Sequence, residues 1–469
     1  MKVALTTNFN NLLIEFIESV KAFYPFCVFV NENADFYLHV ALSVNDKHVT
    51  CELFKDNQIV DLVNSAIMVD DEVVRQREIK KVAKIMIYKY LSKLLGVSLP
   101  YGSLTGVRPT KLYKQLSESG KAYDILREEY LVGEQKLNLI KNIVDFQNQF
   151  KAKAQDIDLY INIPFCETRC SYCSFISIEK AKLEKYYKTY LKVLKEDILQ
   201  SLNLILKNSR KIRSIYIGGG TPTILSEEEI LDVFSVIKKF KPLEYTFESG
   251  RPDSITKEKL FAIKEVGANR ISINPQTFKQ ETLNLINRKH SIEDIYRSFE
   301  NAKQFNFKIN MDLIAMLPNE NLDDFKNSLD ECLKLSPNDI TVHSLTLKKG
   351  SQLTQENYEN SYYELAQQVN LYSQETLIKA GYRPYYLYRL KKSSGGLENL
   401  GYTRDKVPCF YNIDSMEEEA DIMTCGAGGI SKIINSHSIK RFSVNKDVVG
   451  YINNFEEMFQ KKSEFFKNH

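Results

Sequence analysis

The sequence predicts an α/β protein in which a parallel β-sheet has helices packed outside it, preceded by a separate α+β domain. Two observations predict this fold. From about residue 158 onward, short runs rich in β-branched and aromatic residues alternate with longer charged, amphipathic stretches, and six such units follow one another. Glycines and reactive polar residues stand at the ends of these runs, where the loops of a β/α barrel carry its ligands.

The six predicted strands recur along this part of the chain. They are Asp158 to Ile163, Arg213 to Ile217, Glu244 to Glu248, Ala268 to Asn274, Lys308 to Ala315, and Asp339 to Leu345. Charged stretches with helical periodicity, such as Glu179 to Leu206 and Ser226 to Phe240, predict the connecting helices. Ser226 followed by Glu229 predicts a capping box at the start of one helix. Parallel pairing through helical connections follows from this order.

The chain is expected to form three domains, because 469 residues exceed one ordinary hydrophobic core. The predicted domains are an α+β domain over residues 1–153, the barrel over residues 154–378, and a C-terminal mixed α/β extension over residues 379–469. In the first domain, strand-like runs precede a mainly helical region from 72 to 152. These runs are Val28 to Val30, Phe36 to Val44, and His48 to Phe54. In the C-terminal extension, glycines at 395–401 and 425–429 predict tight turns or close backbone approach to a bound molecule.

The composition is that of a globular protein with nearly balanced charge. Its 63 basic and 60 acidic residues give a net charge of +3, which provides no electrostatic reason to expect a nucleic-acid partner. No run approaches the roughly 18–20 uncharged apolar residues that span a bilayer, so we expect no membrane insertion. The start of the chain lacks the apolar core of a secretory signal, and we therefore expect a cytoplasmic protein.

Three cysteines with the spacing C-x3-C-x2-C directly follow the first predicted strand. Cys166, Cys170 and Cys173 can hold three irons of a [4Fe–4S] cluster, which leaves the fourth iron open to a substrate-like ligand. This spacing is typical of enzymes that cleave S-adenosylmethionine (SAM). Zinc is the first alternative, but zinc normally takes four ligands, and the sequence has no second Cys-x2-Cys or His-x3-His pair. Disulfides, the second alternative, require an oxidising compartment.

A SAM site must hold an amino group, a carboxylate and a ribose beside the cluster, and the sequence has a candidate for each. Gly218, Gly219, Gly220 and Thr221 follow the second predicted strand. Glycines let the main chain approach a ligand closely, and their carbonyls can accept hydrogen bonds from the methionyl amine. A glycine triplet alone is weak evidence, because such triplets also form simple turns.

The other SAM candidates are four polar residues at or after the later strands. Glu248 can accept from the methionyl ammonium, and Arg288 can pair with the methionyl carboxylate. Gln276 and Asp312 can hydrogen-bond ribose hydroxyls. Each could equally be a structural partner if taken singly. Their recurrence at successive strand ends favours a shared site.

Several of these motifs together resemble the oxygen-independent coproporphyrinogen III oxidase family of radical SAM proteins. They are Tyr160-x-x-Ile-Pro-Phe-Cys, Gly-Gly-Gly-Thr-Pro, Asn269-Arg-Ile-Ser leading to Gln276, Asn310-Met-Asp-Leu-Ile followed by Leu317-Pro318, and Gly-Ala-Gly in the tail. The resemblance extends from about residue 158 to the C-terminus. The N-terminal run Gly-Ser-Leu-Thr-Gly-Val-Arg-Pro-Thr-Lys and the tail segment Glu398-Asn-Leu-Gly-Tyr most resemble the HemZ-type, coproporphyrinogen dehydrogenase-like branch.

This resemblance implies a fold, a set of cofactors and an activity. The implied fold is a partial (β/α)6 radical SAM barrel with a porphyrin-oxidase-like C-terminal domain, and the implied cofactors are a [4Fe–4S] cluster and SAM, with SAM contacts at Glu248, Gln276, Arg288 and Asp312. The implied activity is oxidative decarboxylation of the propionates of coproporphyrinogen III to give protoporphyrinogen IX in anaerobic heme biosynthesis. The implied partners are this tetrapyrrole and an electron donor such as flavodoxin or ferredoxin. Tyr160 is the candidate catalytic residue, with core packing as its alternative.

Two departures from the family pattern keep other functions open. The well-characterised decarboxylases resemble C-x3-C-x2-C-x-C, whereas Phe175 occupies the last of these positions, and Asn162 stands where the family usually has His. The first alternative is a heme-binding chaperone on the same scaffold, with His343 or His290 as axial ligand, although the strand position of His343 favours a satisfied barrel residue. The second is another radical SAM tetrapyrrole enzyme, such as a heme-degrading one. The candidate cations for propionate groups are Arg251, Arg270, Lys348 and Arg389, and Arg270, which lies within a strand, has the equal alternative of a buried structural partner.

Overall fold

The structure is a computed structural model that describes residues 1–24, 27–44, 48–55, 57–66, 72–106, 108–173, 177–345, 362–389, 398–435 and 438–467. These residues divide into two compact units, one from Met1 to Val144 and one that begins at Asp145. Within the described residues, no helix combines the length and apolar character that crossing a membrane requires. The division into domains at residues 153 and 378 stays a prediction.

The first unit is an α+β fold. Its elements are β1 (Lys2–Thr7), α1 (Leu13–Phe23), β2 (Val28–Phe29), β3 (Phe36–Val44), β4 (His48–Lys55), β5 (Gln58–Ala66), α2 (Glu72–Leu95), α3 (Pro109–Ser117), α4 (Ala122–Asp124) and α5 (Glu134–Gln147), whose last turn enters the second unit. The sheet order is β2-β1-β3-β4-β5, parallel on one side of β3 and antiparallel on the other. Helices α1 and α2 contribute buried residues to the same hydrophobic core as the strands.

The second unit is built on one large sheet. Its elements are β6 (Asp156–Ile163), β7 (Phe165–Cys166), β8 (Ile178–Glu179), α6 (Glu184–Lys207), β9 (Lys211–Gly219), α7 (Glu227–Phe234), β10 (Glu244–Gly250), α8 (Lys257–Glu265), β11 (Arg270–Gln276), α9 (Gln280–Leu285), α10 (Ile292–Gln304), β12 (Lys308–Ala315), α11 (Leu322–Leu335), β13 (Asp339–Ser344), α12 (Tyr362–Lys379), β14 (Arg383–Arg389), β15 (Glu398–Thr403), α13 (Phe410–Glu417), β16 (Asp421–Cys425), β17 (Ile430–Ile434), β18 (Ile439–Ser443), α14 (Val448–Asn453) and α15 (Phe455–Lys467).

The six predicted barrel strands form the centre of this sheet. The order β6-β9-β10-β11-β12-β13 reproduces chain order, each neighbour is parallel, and helices connect the strands. The eleven-stranded sheet ends at β14 on one side and at β18 on the other, so it does not close within the described residues. The predicted partial (β/α)6 barrel is confirmed. The capping box at Ser226 and Glu229 is also confirmed, with both of its hydrogen bonds present.

The C-terminal strands extend both edges of this sheet. Antiparallel β15 and β14 continue it beyond β13, while β16 pairs in parallel with β6 and is followed by antiparallel β17 and β18. This arrangement carries residues from the last ninety positions of the chain to both sides of the barrel. The segment that follows β16 thereby comes to lie beside the carboxyl end of β6, because parallel strands end at the same edge of a sheet.

Candidate functional site

The predicted site residues lie at one edge of the central sheet. The cysteine loop follows β6, Gly218 and Gly219 end β9, and Gln276 is the last residue of β11. Glu248 is two residues before the end of β10, and Asp312 lies within β12. All five strands are parallel neighbours, so their carboxyl ends share one edge. Chemistry gathers at this edge in β/α barrels.

The three glycines form a cradle between the cysteine loop and Glu248. A Cβ atom on Gly218 would lie 2.7 Å from Glu248 Oε2, and one on Gly220 would lie 2.4 Å from the Phe165 carbonyl oxygen and 3.0 Å from Cys166 Sγ. Gly219 has a φ of +112°, a conformation that favours glycine. The cradle therefore requires glycine at each position, and it brings the main chain close to both the thiol and the carboxyl group.

The carboxyl group of Glu248 is poised to receive a cation. Burial raises its pKa to about 8, and the neighbouring Asp312 carboxylate adds to this effect, while a hydrogen bond from Tyr216 opposes it. The Tyr216 hydroxyl donates to Glu248 Oε2 over 3.3 Å. The carboxyl group is thus protonated in the free protein at neutral pH. An ammonium group bound beside it would favour the ionised form through direct charge pairing.

Gln276 offers a hydrogen-bond acceptor that the described residues leave unused. Its side chain is buried, and Oε1 has no hydrogen-bond partner among these residues. The backbone has a φ of +70°, at a register irregularity between β11 and β12. An unsatisfied buried acceptor costs roughly 1–3 kcal/mol, and strained backbone of this kind is often retained at ligand sites. A ligand hydroxyl would satisfy this oxygen.

Asp312 and His343 face each other on neighbouring strands. Asn310 Nδ2 donates to Asp312 Oδ1 over 2.8 Å, and His343 Nε2 lies 3.7 Å from Asp312 Oδ2. On the opposite side of the imidazole, Nδ1 lies 3.2 Å from the hydroxyl of Tyr388 on β14. The histidine ring is therefore oriented from its Nδ1 side, and its Nε2 atom is directed toward the Asp312 carboxylate.

Arg288 is placed against the cysteine loop. Its Nη2 donates to the Asn274 carbonyl over 2.6 Å, and its Nη1 donates to the Tyr172 hydroxyl over 3.1 Å. The same Nη1 lies 4.0 Å from Cys170 Sγ, while Nε has no hydrogen-bond partner among the described residues. The guanidinium can therefore hold the loop through one side, with Nε left for a ligand carboxylate.

Tyr160 belongs to a stack of three tyrosines. Its ring lies 6.1 Å from that of Tyr216 and 5.8 Å from that of Tyr411, with interplanar angles of 19° and 13°. The Tyr216 and Tyr411 rings are themselves 4.5 Å apart. We call these three residues the tyrosine stack. Sequence reasoning missed Tyr216 and Tyr411, because nothing in their spacing marks residues that meet from three separate segments.

Asn162 ties β6 to the C-terminal glycine segment. Its Nδ2 donates to the Ala427 carbonyl over 2.5 Å, and its Oδ1 accepts from the Tyr160 hydroxyl over 3.2 Å. Gly426 has a φ of +94°, and a Cβ atom there would lie 2.5 Å from the Asn162 carbonyl. The glycines of this segment thus serve close backbone packing beside the site.

Comparison with known proteins identifies the family. Residues 160–332 match the model of the radical SAM superfamily. The oxygen-independent coproporphyrinogen-III oxidase-like protein HemZ of Bacillus subtilis is 33% identical over 461 residues, which cover 93% of this chain and 91% of that protein. This chain belongs to the oxygen-independent coproporphyrinogen III oxidase-like family of radical SAM proteins. Its cofactors are accordingly a [4Fe–4S] cluster and SAM.

Other relatives of this radical SAM protein have different names. The heme chaperone HemW of Buchnera aphidicola (subspecies Acyrthosiphon pisum) is 27% identical over 323 residues, which cover 66% of this chain and 82% of that protein. The structure of coproporphyrinogen III oxidase HemN from Escherichia coli covers 69% of this chain and 73% of its own, with a TM-score of 0.51 and 21% identity. That likeness establishes the shared fold alone.

The residues around the cysteine loop fit a cluster and SAM in this radical SAM protein. The loop offers three half-buried thiols, and Thr221 Oγ1 donates to Cys166 Sγ over 3.5 Å. Burial raises the pKa of the Cys166 thiol, so forming the thiolate in the free protein costs free energy. Bound iron would stabilise the thiolate and offset that cost. Within the described residues, no three His, Cys, Asp or Glu side chains already stand in a geometry that could hold a metal. The fit rests on the soft donors, the glycine cradle and the unused Gln276 oxygen.

The structure corrects two of the predicted propionate-binding cations. Arg251 is buried and paired with Asp253 through two hydrogen bonds of 3.1 and 2.8 Å. Arg270 is buried between Glu244 and Asp339, with which it forms ion pairs. For Arg270 the structure confirms the alternative of a buried structural partner. Lys348 lies outside the described residues, and Arg389, at the end of β14, has other interaction partners.

The structure also separates the two histidines proposed as axial heme ligands. His290 is fully buried, and burial together with the neighbouring Arg288 lowers its pKa to about 3. A bound heme could not reach it without opening the fold, so this prediction is wrong for the folded state. His343 is partly exposed at 27% of its side chain. Phe175, the departure at the fourth cysteine position, lies outside the described residues.

Proposed function

We propose that this radical SAM protein is an oxidoreductase that decarboxylates propionate side chains of coproporphyrinogen III to give protoporphyrinogen IX. The observation that carries the proposal is the position of Glu248, whose raised pKa and glycine cradle provide a cation site beside Cys166. When bound, a reduced cluster and SAM would supply hydrogen-atom abstraction at a propionate, with one electron consumed and methionine and 5′-deoxyadenosine released for each SAM. Carbon dioxide then leaves as the vinyl group forms, and an acceptor takes the remaining electron.

Each side chain has a definite role in this proposal. Cys166, Cys170 and Cys173 hold three irons. The cradle from Gly218 to Thr221 and the Glu248 carboxylate bind the methionyl ammonium, which replaces the proton that Glu248 carries in the free protein. The SAM carboxylate and ribose are held by three polar side chains, which are Arg288, Gln276 and Asp312.

The tyrosine stack joins Tyr160 of β6 to Tyr216, whose hydroxyl donates to Glu248, and to Tyr411. The flat faces of Tyr160, Tyr216 and Tyr411 suit the pyrrole rings of a tetrapyrrole, because aromatic faces pack favourably against one another. Tyr160 is the proposed contact between the tyrosine stack and the substrate. We further propose a cytoplasmic protein that receives single electrons from a donor such as flavodoxin or ferredoxin and has no nucleic-acid or membrane partner.

The proposal is tested by an anaerobic assay of the reconstituted protein with SAM, a reductant and coproporphyrinogen III. The expected products are 5′-deoxyadenosine and a tetrapyrrole that has lost two carboxyl groups. The variant Tyr160→Phe keeps the ring and removes the hydroxyl that donates to Asn162. Its 5′-deoxyadenosine yield without substrate should match that of the unaltered protein. An intact tetrapyrrole in the presence of 5′-deoxyadenosine would refute the substrate assignment.

His343 supports a second candidate function, a heme chaperone. The hydroxyl of Tyr388 orients the ring at Nδ1, and Nε2 lies 3.7 Å from Asp312 Oδ2. An imidazole oriented in this way can ligate iron through Nε2. This candidate predicts one heme per chain, no decarboxylation, and a changed heme absorbance spectrum in His343→Ala. Release of an opened or modified tetrapyrrole would instead indicate a heme-degrading or other radical SAM enzyme.

A further inference from the structure

A second buried guanidinium touches the cysteine loop, and neither SAM nor substrate accounts for it. Arg251 lies just after β10 and is only 3% exposed. Its Nη1 donates to the hydroxyl of Thr168 over 2.5 Å, and Thr168 lies between the first two cysteines of the loop. Burial of an arginine is costly unless its donors are satisfied. A buried arginine at this place therefore indicates that its contact with the loop has a specific function.

The backbone around Arg251 fixes where this guanidinium points. Gly250 has a φ of +70°, which turns the chain at the end of β10, and Pro252 follows directly. Ser254 donates from both its amide and its hydroxyl to the Arg251 carbonyl, over 3.0 and 2.8 Å. Asp253 then binds the Nε and Nη2 edge of the guanidinium in a two-point contact. Only Nη1 remains directed at the loop.

Arg251 and Arg288 hold different parts of the cysteine loop. Arg251 contacts the stretch between Cys166 and Cys170 through Thr168. Arg288 contacts the following stretch through the Tyr172 hydroxyl. Two permanent positive charges therefore contact the loop, one from the segment after β10 and one from the segment between α9 and α10.

The surroundings accommodate a permanent charge at this place. Asp253 is ionised, because the hydrogen bond and charge of Arg251 outweigh its burial and lower its pKa. The adjacent His290 stays neutral, because burial and the nearby arginines lower its pKa to about 3. The two arginines therefore supply the positive charge of this cluster of side chains, and Asp253 neutralises part of it.

We propose that Arg251 is a positioning residue for the cysteine loop, which fixes Thr168 and stabilises the reduced cluster by its positive charge. This inference rests on the [4Fe–4S] cofactor and not on the identity of the tetrapyrrole. One-electron reduction, by a low-potential protein donor or by dithionite, adds a negative charge to the cluster. A fixed cation nearby favours that added charge and raises the reduction potential.

Three variants separate the contact from the charge. Arg251→Met removes both, Arg251→Lys keeps the charge and loses the fork that binds Asp253, and Thr168→Val removes only the hydroxyl. Arg297→Met is the matched control, because Arg297 is an exposed arginine that also pairs with a carboxylate. Each protein is reconstituted anaerobically, and iron per chain, the thermal unfolding temperature and the midpoint potential by electron paramagnetic resonance are measured.

The expected pattern differs between the variants. Arg251→Met should bind less iron per chain and show a lower midpoint potential in the cluster that remains. Thr168→Val should bind less iron at an unchanged potential, and Arg251→Lys should keep the potential closer to that of the unaltered protein. The control should change neither quantity.

Two results would overturn the inference. If Arg251→Met and Thr168→Val both bind full iron, the loop needs no such contact. If both lose iron equally and Arg251→Met keeps its potential, the residue has only a structural role, and Thr168→Val decides this even where Arg251→Met fails to fold. A protein that shows the expected pattern but does not decarboxylate coproporphyrinogen III would support Arg251 while refuting the proposed function.

Discussion

Replacing Glu248 with Gln should stabilise the free protein while it abolishes SAM binding. The pKa of this carboxyl is about 8 in the folded protein, against an ordinary value of 4.5. Folding must therefore protonate a group that is ionised in the unfolded chain at neutral pH. This costs up to about 3 kcal/mol at pH 7. The glutamine is neutral at every pH and avoids that cost, so we expect a gain of about 1–3 kcal/mol once partial solvent access is considered.

The sign of the pH dependence follows from the raised pKa. Below about pH 4.5 the carboxyl is protonated in both states, and the two proteins should be equally stable. The advantage of Glu248→Gln should grow between pH 4.5 and 8 and stay constant above pH 8. Urea unfolding of the apoprotein at pH 5, 7 and 8.5 measures this difference. Glu281→Gln, at an exposed position on α9, is the control and should stay within about 0.5 kcal/mol.

The opposite effect is expected for the ligand. In the proposed site the ionised Glu248 pairs with the methionyl ammonium, and a neutral amide cannot supply that charge. Equilibrium dialysis with labelled SAM should show binding to the reconstituted protein and its loss in Glu248→Gln, with equal iron content in both. A stability difference that does not change with pH, or a less stable Glu248→Gln protein, would refute the reasoning about burial.

Three further substitutions test other parts of the account. Cys166→Ala should lose most of its iron and its brown absorbance, and retention of full iron content would contradict the cluster assignment. Gly220→Ala should impair iron loading and SAM binding, because its Cβ atom would lie 3.0 Å from Cys166 Sγ; unchanged SAM affinity would contradict the cradle. Lys462→Met leaves the fully buried Asp197 without its charge partner and should cost about 3–5 kcal/mol in urea unfolding, whereas the exposed Lys461→Met should cost almost nothing. A loss below 1 kcal/mol at Lys462 would contradict the ion pair.

The barrel could be predicted because its signal is local. Each of the six strands carries its own run of β-branched or aromatic residues, and the helices between them show their own period. The candidate residues at the strand ends followed from the same logic, since the carboxyl ends of parallel strands meet at one edge. The sequence therefore predicts that Gly218, Glu248, Gln276 and Asp312 lie at one edge, and the structure has all four on neighbouring parallel strands.

The features that sequence reasoning missed depend on distant pairing. The C-terminal strand β16 pairs with β6 more than 250 residues earlier, and this brings Ala427 to Asn162. Tyr411 lies on α13, between β15 on one side of the barrel strands and β16 on the other, and its ring packs in the tyrosine stack. No local period encodes such contacts. The prediction that Arg251 binds a propionate failed for a different reason: its carboxylate partner, Asp253, is only two residues away, but a sequence does not show that the guanidinium is buried.

In the first unit, two strands were missed for different reasons. The apolar residues of β1 are consecutive and do not alternate with polar ones, and β5 lies at the edge of the sheet with mostly exposed side chains. Edge strands have weak patterns, because only one face and one neighbour constrain their side chains. The mainly helical region that follows was easier to predict, since α2 has 24 residues and α5 has 14, which gives several turns of periodicity.

The most direct test of the central claim follows hydrogen from the substrate. Coproporphyrinogen III deuterated in its propionate side chains is incubated anaerobically with the reconstituted protein, SAM and a reductant, and the mass of the 5′-deoxyadenosine is measured. We predict that one molecule of 5′-deoxyadenosine, carrying one deuterium, forms for each carboxyl group lost from the tetrapyrrole. Unlabelled 5′-deoxyadenosine together with an intact tetrapyrrole would contradict the proposed reaction and leave heme binding through His343 as the function to examine.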